Sequence, residues 1–406
     1  MTNVIFAISY ILIPMDEDQT DHLKAYGVVY WAISRGYEVE WLLNFRGGSF
    51  LIYSSSEEIK KRITSRGVYY ESLGESDRMK IEGIIEKSNM SKVKLQSLPK
   101  LAVYAPKYSE PWDDAVRLAL DYAEIPYDLI WDEEILEGKL KNYDWVHLHH
   151  EDFTGMYGKF WAGYSSAPWY IQMVKASESV AKKYNFKNVK DLKLAVAKKI
   201  KEFVSNGGYL FAMCSAPITL DIALAAENVD ILDVPFDGDP PDPNYHEKLD
   251  FSRTLFLKHA KVITDPYIYE HTDADATRDI AALGGSSYFY LFEFSAKIDE
   301  IPTMLTQNHT RAIREFLGQD SGVYKDKLKS NVIVLAENSR VNVAKYIFSP
   351  YGKGFFSFYF GHDPEDYQHF VGEPPTDLSK HKNSPGYRII LNNIFLPSAQ
   401  KKKLKT

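Results

Sequence analysis

The feature that most constrains the fold of this chain is an unbroken succession of helix, glycine stop, apolar strand and helix over residues 191–226. Residues 191–205 repeat apolar side chains at helical spacing, and Asn206-Gly207-Gly208 supplies the left-handed backbone that ends a helix. Residues 209–213 (YLFAM) are apolar on both faces, as in a strand buried inside a parallel sheet, and 217–226 predict a second helix. This alternation favours an α/β fold with a mostly parallel sheet and helices on both faces.

The same alternation divides the chain into two predicted units. Residues 1–95 predict a strand, a helix and a strand, which indicate a βαβ extension, and continue into a charged helical stretch at 57–87; a linker follows at 88–100. Residues 100–400 predict the larger unit, in which an Asp- and Pro-rich stretch at 235–300 is expected to be an irregular insertion. The other clear element signals lie at 8–13, 23–34, 37–45, 101–105, 112–123, 127–131, 145–149 and 355–360.

Composition limits the classes to which the protein can belong. The 406 residues are 45% hydrophobic and 25% charged, which indicates a globular chain with enough apolar side chains for a sizeable core. The net charge of −7 does not favour a nucleic-acid partner, so a small-molecule substrate is expected instead. A single cysteine cannot form an intrachain disulfide, and the sequence leaves the oligomeric state open.

The apolar run from Val4 to Met15 is too short to span a bilayer, and it lacks the basic residues of a signal peptide. We expect it to be part of the fold, and we expect a cytoplasmic protein without a membrane partner. A degenerate export signal is the alternative. The basic tail at 401–405 is expected to be a solvated end.

Cys214 lies where the strand at 209–213 meets the following helix. Ala212 and Ala216 flank it with small side chains, as a sharp strand-to-helix turn requires. The helix amino terminus would favour the thiolate, and the Ser215 N–H would face a developing oxyanion. This pattern predicts a nucleophilic cysteine, and a buried structural cysteine is the alternative.

A base for this thiol is predicted at His362, directly after the strand at 355–360. Functional side chains collect at the carboxyl ends of the strands in open α/β sheets, so Cys214 and His362 are expected to meet there. Glu365 is expected to orient the imidazole, with Asp363 and Asp366 as alternatives. The sequence therefore predicts a Cys–His–acid triad.

Three segments resemble class I glutamine amidotransferase-like domains, and the resemblance implies a flavodoxin-like sheet. They are VAKKIKEFVSNGGYLFAMCSA, YDWVHLHHEDFTG and YGKGFFSFYFGHDPED, the last of which is similar to the end of the ThuA-like branch. The resemblance covers residues 100–400 and implies that Cys214 is the nucleophile. It also implies that the oxyanion hole and pocket are formed by Ser215, His149, His150, Glu151 and Gly155.

The whole chain also resembles a bacterial family often labelled asparagine synthetase B. Segments that carry this resemblance are LIPMDEDQTDHLKAYG, LLNFRGGSF and HKNSPGYRIILNN. The motifs do not support the label, because position 2 is Thr2 where true synthetases expose a cysteine, and no Ser-Gly-Gly pyrophosphate loop occurs in the sequence.

A divalent metal is the cofactor that the sequence leaves open. His147 and His149 share one face of a predicted strand, so both can bind one ion. Asp273, Asp275 and His271 are candidate further ligands, or form a calcium site on their own. No Walker loop, Gly-x-Gly-x-x-Gly or CxxC motif occurs, so no nucleotide cofactor is predicted.

These patterns predict a cysteine-dependent hydrolase or amidase-like enzyme that acts on an amide or ester carbonyl. One alternative is a metallohydrolase that uses His147 and His149. The other is a non-catalytic module that binds a small molecule or sugar. Four aromatic residues suit that second role: Trp161, Tyr164, Trp169 and Tyr170.

Overall fold

The computed structural model describes residues 9–368 and 370–399. The first part of the apolar run from Val4 and the basic tail at 401–405 lie outside the described residues. Five strands form an amino-terminal sheet: β1 (Tyr10–Ile13), β2 (Val39–Leu43), β3 (Ser49–Ile52), β4 (Glu71–Leu73) and β5 (Ser91–Leu95). Ten strands form a large sheet: β6 (Leu101–Tyr104), β7 (Asp128–Ile130), β8 (Trp145–Leu148), β9 (Tyr209–Met213), β10 (Tyr288–Leu291), β11 (Ala312–Arg314), β12 (Val323–Tyr324), β13 (Ile333–Asn338), β14 (Val343–Tyr351) and β15 (Gly354–Tyr359).

Helices connect and cover these strands, and several begin at a side chain that caps the first turn. Asp21, Asn188 and Ser384 each accept a hydrogen bond from the backbone N–H three residues further on. The α-helices of the described part of the chain are α1 (His22–Ser34), α2 (Glu57–Ser65), α3 (Glu75–Lys87), α4 (Ala115–Ala123), α5 (Asp132–Leu136), α6 (Trp161–Tyr164), α7 (Pro168–Lys183), α8 (Val189–Ser205), α9 (Ala216–Ala225), α10 (Val234–Asp237), α11 (Tyr245–Lys248), α12 (Thr277–Ala282), α13 (Glu300–Leu305) and α14 (Pro385–Asn392).

The amino-terminal sheet is antiparallel throughout, with strand order β4-β1-β3-β2-β5. The expected βαβ extension is therefore wrong, because β3 lies between β1 and β2. Only residues 44–48 connect β2 to β3, and so short a connection forces antiparallel pairing. The stretch at 57–87, expected to be helical throughout, is interrupted by β4, and the expected linker at 88–100 contains β5.

The large sheet is mixed, with the order β11-β10-β13-β14-β15-β9-β8-β6-β7 and β12 paired to β14. From β15 to β7 the neighbouring strands run parallel, whereas from β11 to β15 they run antiparallel. The expectation of a mostly parallel, flavodoxin-like or amidotransferase-like sheet is wrong. A two-residue turn joins β14 to β15, with Gly352 at a φ of 60°, and such a hairpin can only pair its strands antiparallel.

One hydrophobic core joins the two sheets. Helices α1, α4 and α14 pack on one another, and their apolar side chains share a cluster with Trp41 and Phe50 of the first sheet and with Trp145 and Phe211 of the large sheet. Helices α8 and α9 pack together with a second cluster, which includes Phe356 and Phe358 of β15. The parallel half of the large sheet is thus covered on both faces.

A buried arginine fastens α14 to the amino-terminal unit. Arg388 is fully buried and donates to the backbone carbonyl of Met15 at 2.6 Å and to that of Gly47. Its Nε also donates to the Tyr26 hydroxyl of α1 at 3.2 Å. These bonds tie α14 to α1, to the residue that follows β1 by two positions, and to the connection between β2 and β3.

The stretch at 235–300 contains only short helices before β10 joins it to the large sheet. Asp221 in α9 anchors its first part by accepting the backbone N–H groups of Leu255, Phe256 and Leu257. Within the described residues, none of the helices is both long and apolar enough to cross a membrane.

Candidate functional site

Three neighbouring parallel strands end at the same edge of the large sheet, and each is followed by a residue singled out in the sequence. Strand β8 is followed by His149 and His150, β9 by Cys214, and β15 by Gly361 and His362. The Cys214 N–H donates to the Gly361 carbonyl at 3.3 Å. Parallel pairing therefore brings the backbone of the predicted nucleophile next to that of the predicted base.

The backbone of Cys214 is strained. Its φ is 52°, in the left-handed region that residues with a Cβ rarely adopt. Strand β9 ends at Met213 and α9 begins at Ala216, so the chain turns from strand to helix within two residues. This is the backbone geometry of a nucleophile elbow, which projects a side chain from the tip of a sharp turn.

The Cys214 thiol is buried and neutral. Only 3% of the residue is exposed, and burial together with the Asp320 carboxyl raises the pKa of the thiol to about 12. The backbone N–H groups of Ser215 and Gln319 face the sulfur and oppose that rise. The surroundings of the sulfur thus disfavour the resting thiolate that the helix terminus was expected to favour. The second backbone N–H near the sulfur belongs to Gln319. The loop that contains Gly155 was expected to supply that N–H.

His362 lies against two other imidazoles. Its ring centre is 4.8 Å from that of His149 and 6.1 Å from that of His150. One ring nitrogen from each of the three residues lies within 4.8 Å of the others. The Nε2 atom of His150 contacts Glu110 Oε2 at 3.0 Å. Burial lowers the pKa of His150, but Glu110, Glu151 and Asp114 together outweigh burial and raise that pKa to about 9.

A second group, which also contains His149, lies in the interior. Asp114 caps α4 by accepting the backbone N–H groups of Val116 and Arg117. The same oxygen, Oδ1, is 3.5 Å from His147 Nε2 and 3.6 Å from His149 Nδ1. Burial disfavours the charge of Asp114, but the two imidazoles outweigh burial and hold the pKa of its carboxyl well below the usual range.

A narrow cavity of about 40 Å³ lies beside the histidines, which is room for a few water molecules. The expected pocket residues His150, Glu151 and Gly155 line it. Burial raises the pKa of Glu151 to about 8. The Glu151 carboxyl accepts a hydrogen bond from the backbone N–H of His149 at 2.9 Å. Lys193 of α8 also lines the cavity and pairs with Asp132 at 2.9 Å. The charged side chains that line the cavity therefore form ion pairs with other residues of the protein, as His150 does with Glu110 and Lys193 with Asp132.

Glu365, which was expected to orient His362, has another histidine as an ion-pair partner. Its carboxylate pairs with His381 Nδ1 at 3.1 Å. The neighbouring Asp363 is buried and accepts the Tyr387 hydroxyl at 2.6 Å. The structure therefore places two of the carboxylates considered for the triad in contacts that stabilise the loop after β15.

The insertion residues expected to bind metal also have other partners. Asp273 pairs with Lys327 at 2.7 Å, and Asp275 accepts the Thr277 hydroxyl at 2.6 Å. Among the residues that the structure describes, the groups of three or more converging metal-binding side chains include neither aspartate, nor His271. The predicted pair His147 and His149 does belong to such a group, together with Asp114.

A loop at 265–270 lies near the thiol. Its Tyr269 phenol interacts electrostatically with Cys214. The loop is fastened by Lys159, whose ammonium donates to the backbone carbonyls of residues 265, 268 and 270 at 3.2, 3.0 and 2.9 Å. Gln319 adds a hydrogen bond from its side-chain amide to the Tyr269 carbonyl at 3.0 Å.

The aromatic residues singled out in the sequence lie at different depths near the cavity. Trp169 contacts Trp112 and Phe160, which line the cavity, and Tyr164 contacts Trp169. Trp161 contacts the exposed Tyr267, whereas Tyr170 is buried.

Four residues of the site were missed in the sequence. Asp114 is the N-cap of α4, but the helix was predicted to begin at Trp112, which placed Asp114 inside it and hid the capping position. Glu110, Gln319 and Asp320 lie in irregular segments, and their place beside the histidines or the thiol depends on the tertiary fold.

No family model matches this chain, and no curated protein matches it. Two cytoplasmic proteins from Salmonella typhimurium are each 11% identical to it, with TM-scores of 0.38 and 0.35; the matches cover 75% and 74% of this chain and 100% and 99% of theirs. A β-galactosidase from Bacillus circulans sp. alkalophilus is 12% identical with a TM-score of 0.28, and the match covers 70% of this chain and 31% of the enzyme. Scores this low do not establish a common fold.

Proposed function

We propose that this protein is a cysteine-dependent hydrolase that cleaves an amide or ester bond of a small molecule. The observation that supports this best is the φ of 52° at Cys214, at the junction of β9 and α9. A residue with a Cβ is destabilised by about 1 to 3 kcal/mol in such a conformation, and strain of this kind is concentrated at functional sites.

In the proposed reaction the Cys214 sulfur attacks the carbonyl carbon while its proton passes to His362. A carbon–sulfur bond forms as the carbonyl π bond breaks, and the oxyanion accepts hydrogen bonds from the Ser215 and Gln319 N–H groups. Collapse of this intermediate expels the amine or alcohol, which takes the proton from His362. Water then hydrolyses the thioester and regenerates the thiol.

The raised pKa of Cys214 determines how the nucleophile is activated in this proposal. A thiol with a pKa of about 12 is almost entirely protonated at neutral pH and is a weak nucleophile. Activation therefore requires that a base take the proton as the sulfur attacks, as in a serine hydrolase. His362 is the proposed base because it follows the strand next to that of Cys214 and because its backbone N–H lies 3.3 Å from the Leu317 carbonyl, close to Gln319.

The test measures the hydrolysis of p-nitrophenyl esters and the release of ammonia from primary amides. We expect Cys214→Ala to abolish turnover and His362→Gln to reduce it by roughly 10²- to 10⁴-fold. We expect Glu365→Gln to behave as wild type, since that carboxylate pairs with His381. Intact-mass spectrometry should detect an acyl-enzyme in wild type and none in Cys214→Ala. Full turnover by the Cys214→Ala chain would refute the proposal.

A further inference from the structure

We infer that Asp114, His147 and His149 bind a divalent transition-metal ion of the zinc type, in the interior beside the thiol site. This site does not use Cys214 or His362, so it is independent of the proposed hydrolase. Its three side chains are almost completely buried, with 7% of Asp114 and 0% of each histidine exposed.

The hydrogen bonding of His147 is the first reason for a cation at this position. His147 Nδ1 lies 3.1 Å from the backbone carbonyl of Phe211, so Nδ1 carries a proton. In a neutral imidazole the other nitrogen, Nε2, is then only an acceptor, and it faces the Asp114 Oδ1 atom at 3.5 Å. Nε2 has no hydrogen-bond partner in the described part of the chain. Two facing acceptors need a positive charge between them, supplied either by a proton on Nε2 or by a metal ion. The third ligand atom, His149 Nδ1 at 3.6 Å from the same oxygen, favours the metal ion.

The distances between the three side chains are those of a metal site. Zinc bound tetrahedrally at about 2.0 to 2.2 Å holds neighbouring ligand atoms about 3.3 to 3.6 Å apart. Asp114 Oδ1 lies 3.5 Å from His147 Nε2 and 3.6 Å from His149 Nδ1. The three ligand atoms all lie within 4.8 Å of one another. Two imidazoles and one carboxylate form a common zinc ligand set, which leaves one position for water.

The contacts around these ligands are those that orient metal-binding side chains. A metal-binding histidine usually donates its other ring N–H to a carbonyl or carboxylate, as His147 does to Phe211 of the neighbouring strand β9. Asp114 is held by the N–H groups of Val116 and Arg117 at 2.8 and 3.0 Å. The ion would therefore link the start of α4 to the carboxyl end of β8.

The experiment measures bound metal in the full-length protein by elemental analysis after incubation with zinc and removal of free ion. We expect about one ion per chain in wild type. We expect Asp114→Asn and His147→Gln each to weaken zinc binding by at least about tenfold. His259→Gln, which changes an exposed histidine elsewhere, serves as the control and should bind zinc as wild type does. Cobalt in place of zinc should give visible d–d absorption that His147→Gln lacks.

A second measurement on wild type covers the case in which a variant fails to fold. We expect a chelator to lower Tm and added zinc to restore it. A chain that takes up no zinc, and whose Tm does not change with chelator, would overturn the inference and assign a protonated His147 to the contact. Zinc that is lost in His150→Gln but kept in His147→Gln would also overturn it, by placing the ion among His149, His150 and His362. None of these readouts uses turnover, so they stand apart from the test of the hydrolase.

Discussion

Alkylation of Cys214 offers a direct test of the electrostatics of the site. This is the only cysteine of the chain, so any thiol label reports on one side chain. Iodoacetamide reacts with the thiolate, so its rate follows the fraction of sulfur that is deprotonated. Burial and Asp320 are expected to keep that fraction very small in the folded protein.

The pKa of about 12 sets the expected magnitude. At pH 7.5 such a thiol is about 0.003% thiolate, whereas a free cysteine with a pKa of about 8.5 is about 10% thiolate. The ratio predicts labelling roughly 3,000-fold slower in the folded chain than in the same chain unfolded by urea. Restricted access to the buried sulfur would slow the reaction further.

The assay follows the mass increase of the intact chain at several pH values between about 6 and 10, and the urea-unfolded chain provides the reference rate. Lys159→Met should accelerate labelling of the folded chain, because it removes the three hydrogen bonds that hold the loop at 265–270 near the thiol. An Arg278→Met control removes an exposed ion pair of the same loop, to Glu270, and should change the rate little. Rapid labelling of folded wild type with a midpoint near neutral pH would refute this account of the thiol.

Three further predictions concern stability. Burial lowers the pKa of His22 to about 4, so between about pH 6.5 and pH 4 only the unfolded chain binds this proton. The free energy of unfolding should therefore drop by about 3 kcal/mol as the pH falls through that window. Urea titrations should show a smaller drop for His22→Gln. Lys345→Met removes the ammonium that pairs with the buried Glu315 carboxylate at 3.0 Å. The free energy of unfolding, measured by chemical denaturation, should fall by about 3 to 5 kcal/mol. A fall of less than about 1 kcal/mol would contradict this prediction. Gly354→Ala places a Cβ 2.2 Å from the Gly208 carbonyl oxygen. This clash should lower the free energy of unfolding by about 1 to 3 kcal/mol and therefore lower Tm. An unchanged Tm would contradict the prediction.

Local sequence patterns were sufficient to predict the strand and the helix that precede Cys214. The strand predicted at 209–213 is β9, and the helix predicted at 191–205 is α8, which begins two residues earlier at Val189. Both carry strong patterns: a strand apolar on each face, and an amphipathic helix that ends at two glycines. The meeting of Cys214 with the residues after β15 also followed, because only their placement at strand ends was needed.

Local sequence patterns could not predict the direction of the strands, nor which distant residues contact Cys214 and His147. An apolar strand in the parallel half and one in the antiparallel half have the same composition, so β13 and β14 gave no sign of their direction until pairing was known. The same holds for polar contacts over long distances in sequence. Asp114 reaches His147 across 33 positions, and Gln319 reaches Cys214 across more than 100, so neither contact follows from residue spacing.

The buried arginine of α14 has a consequence for synthesis of the chain. The Met15 carbonyl is made 373 positions before the guanidinium that binds it. Until the ribosome has produced α14, the amino-terminal unit lacks both that donor and part of the apolar surface on which α1 packs. A nascent chain should therefore remain sensitive to protease and dependent on chaperones until α14 has left the ribosome, and should become resistant only after that step.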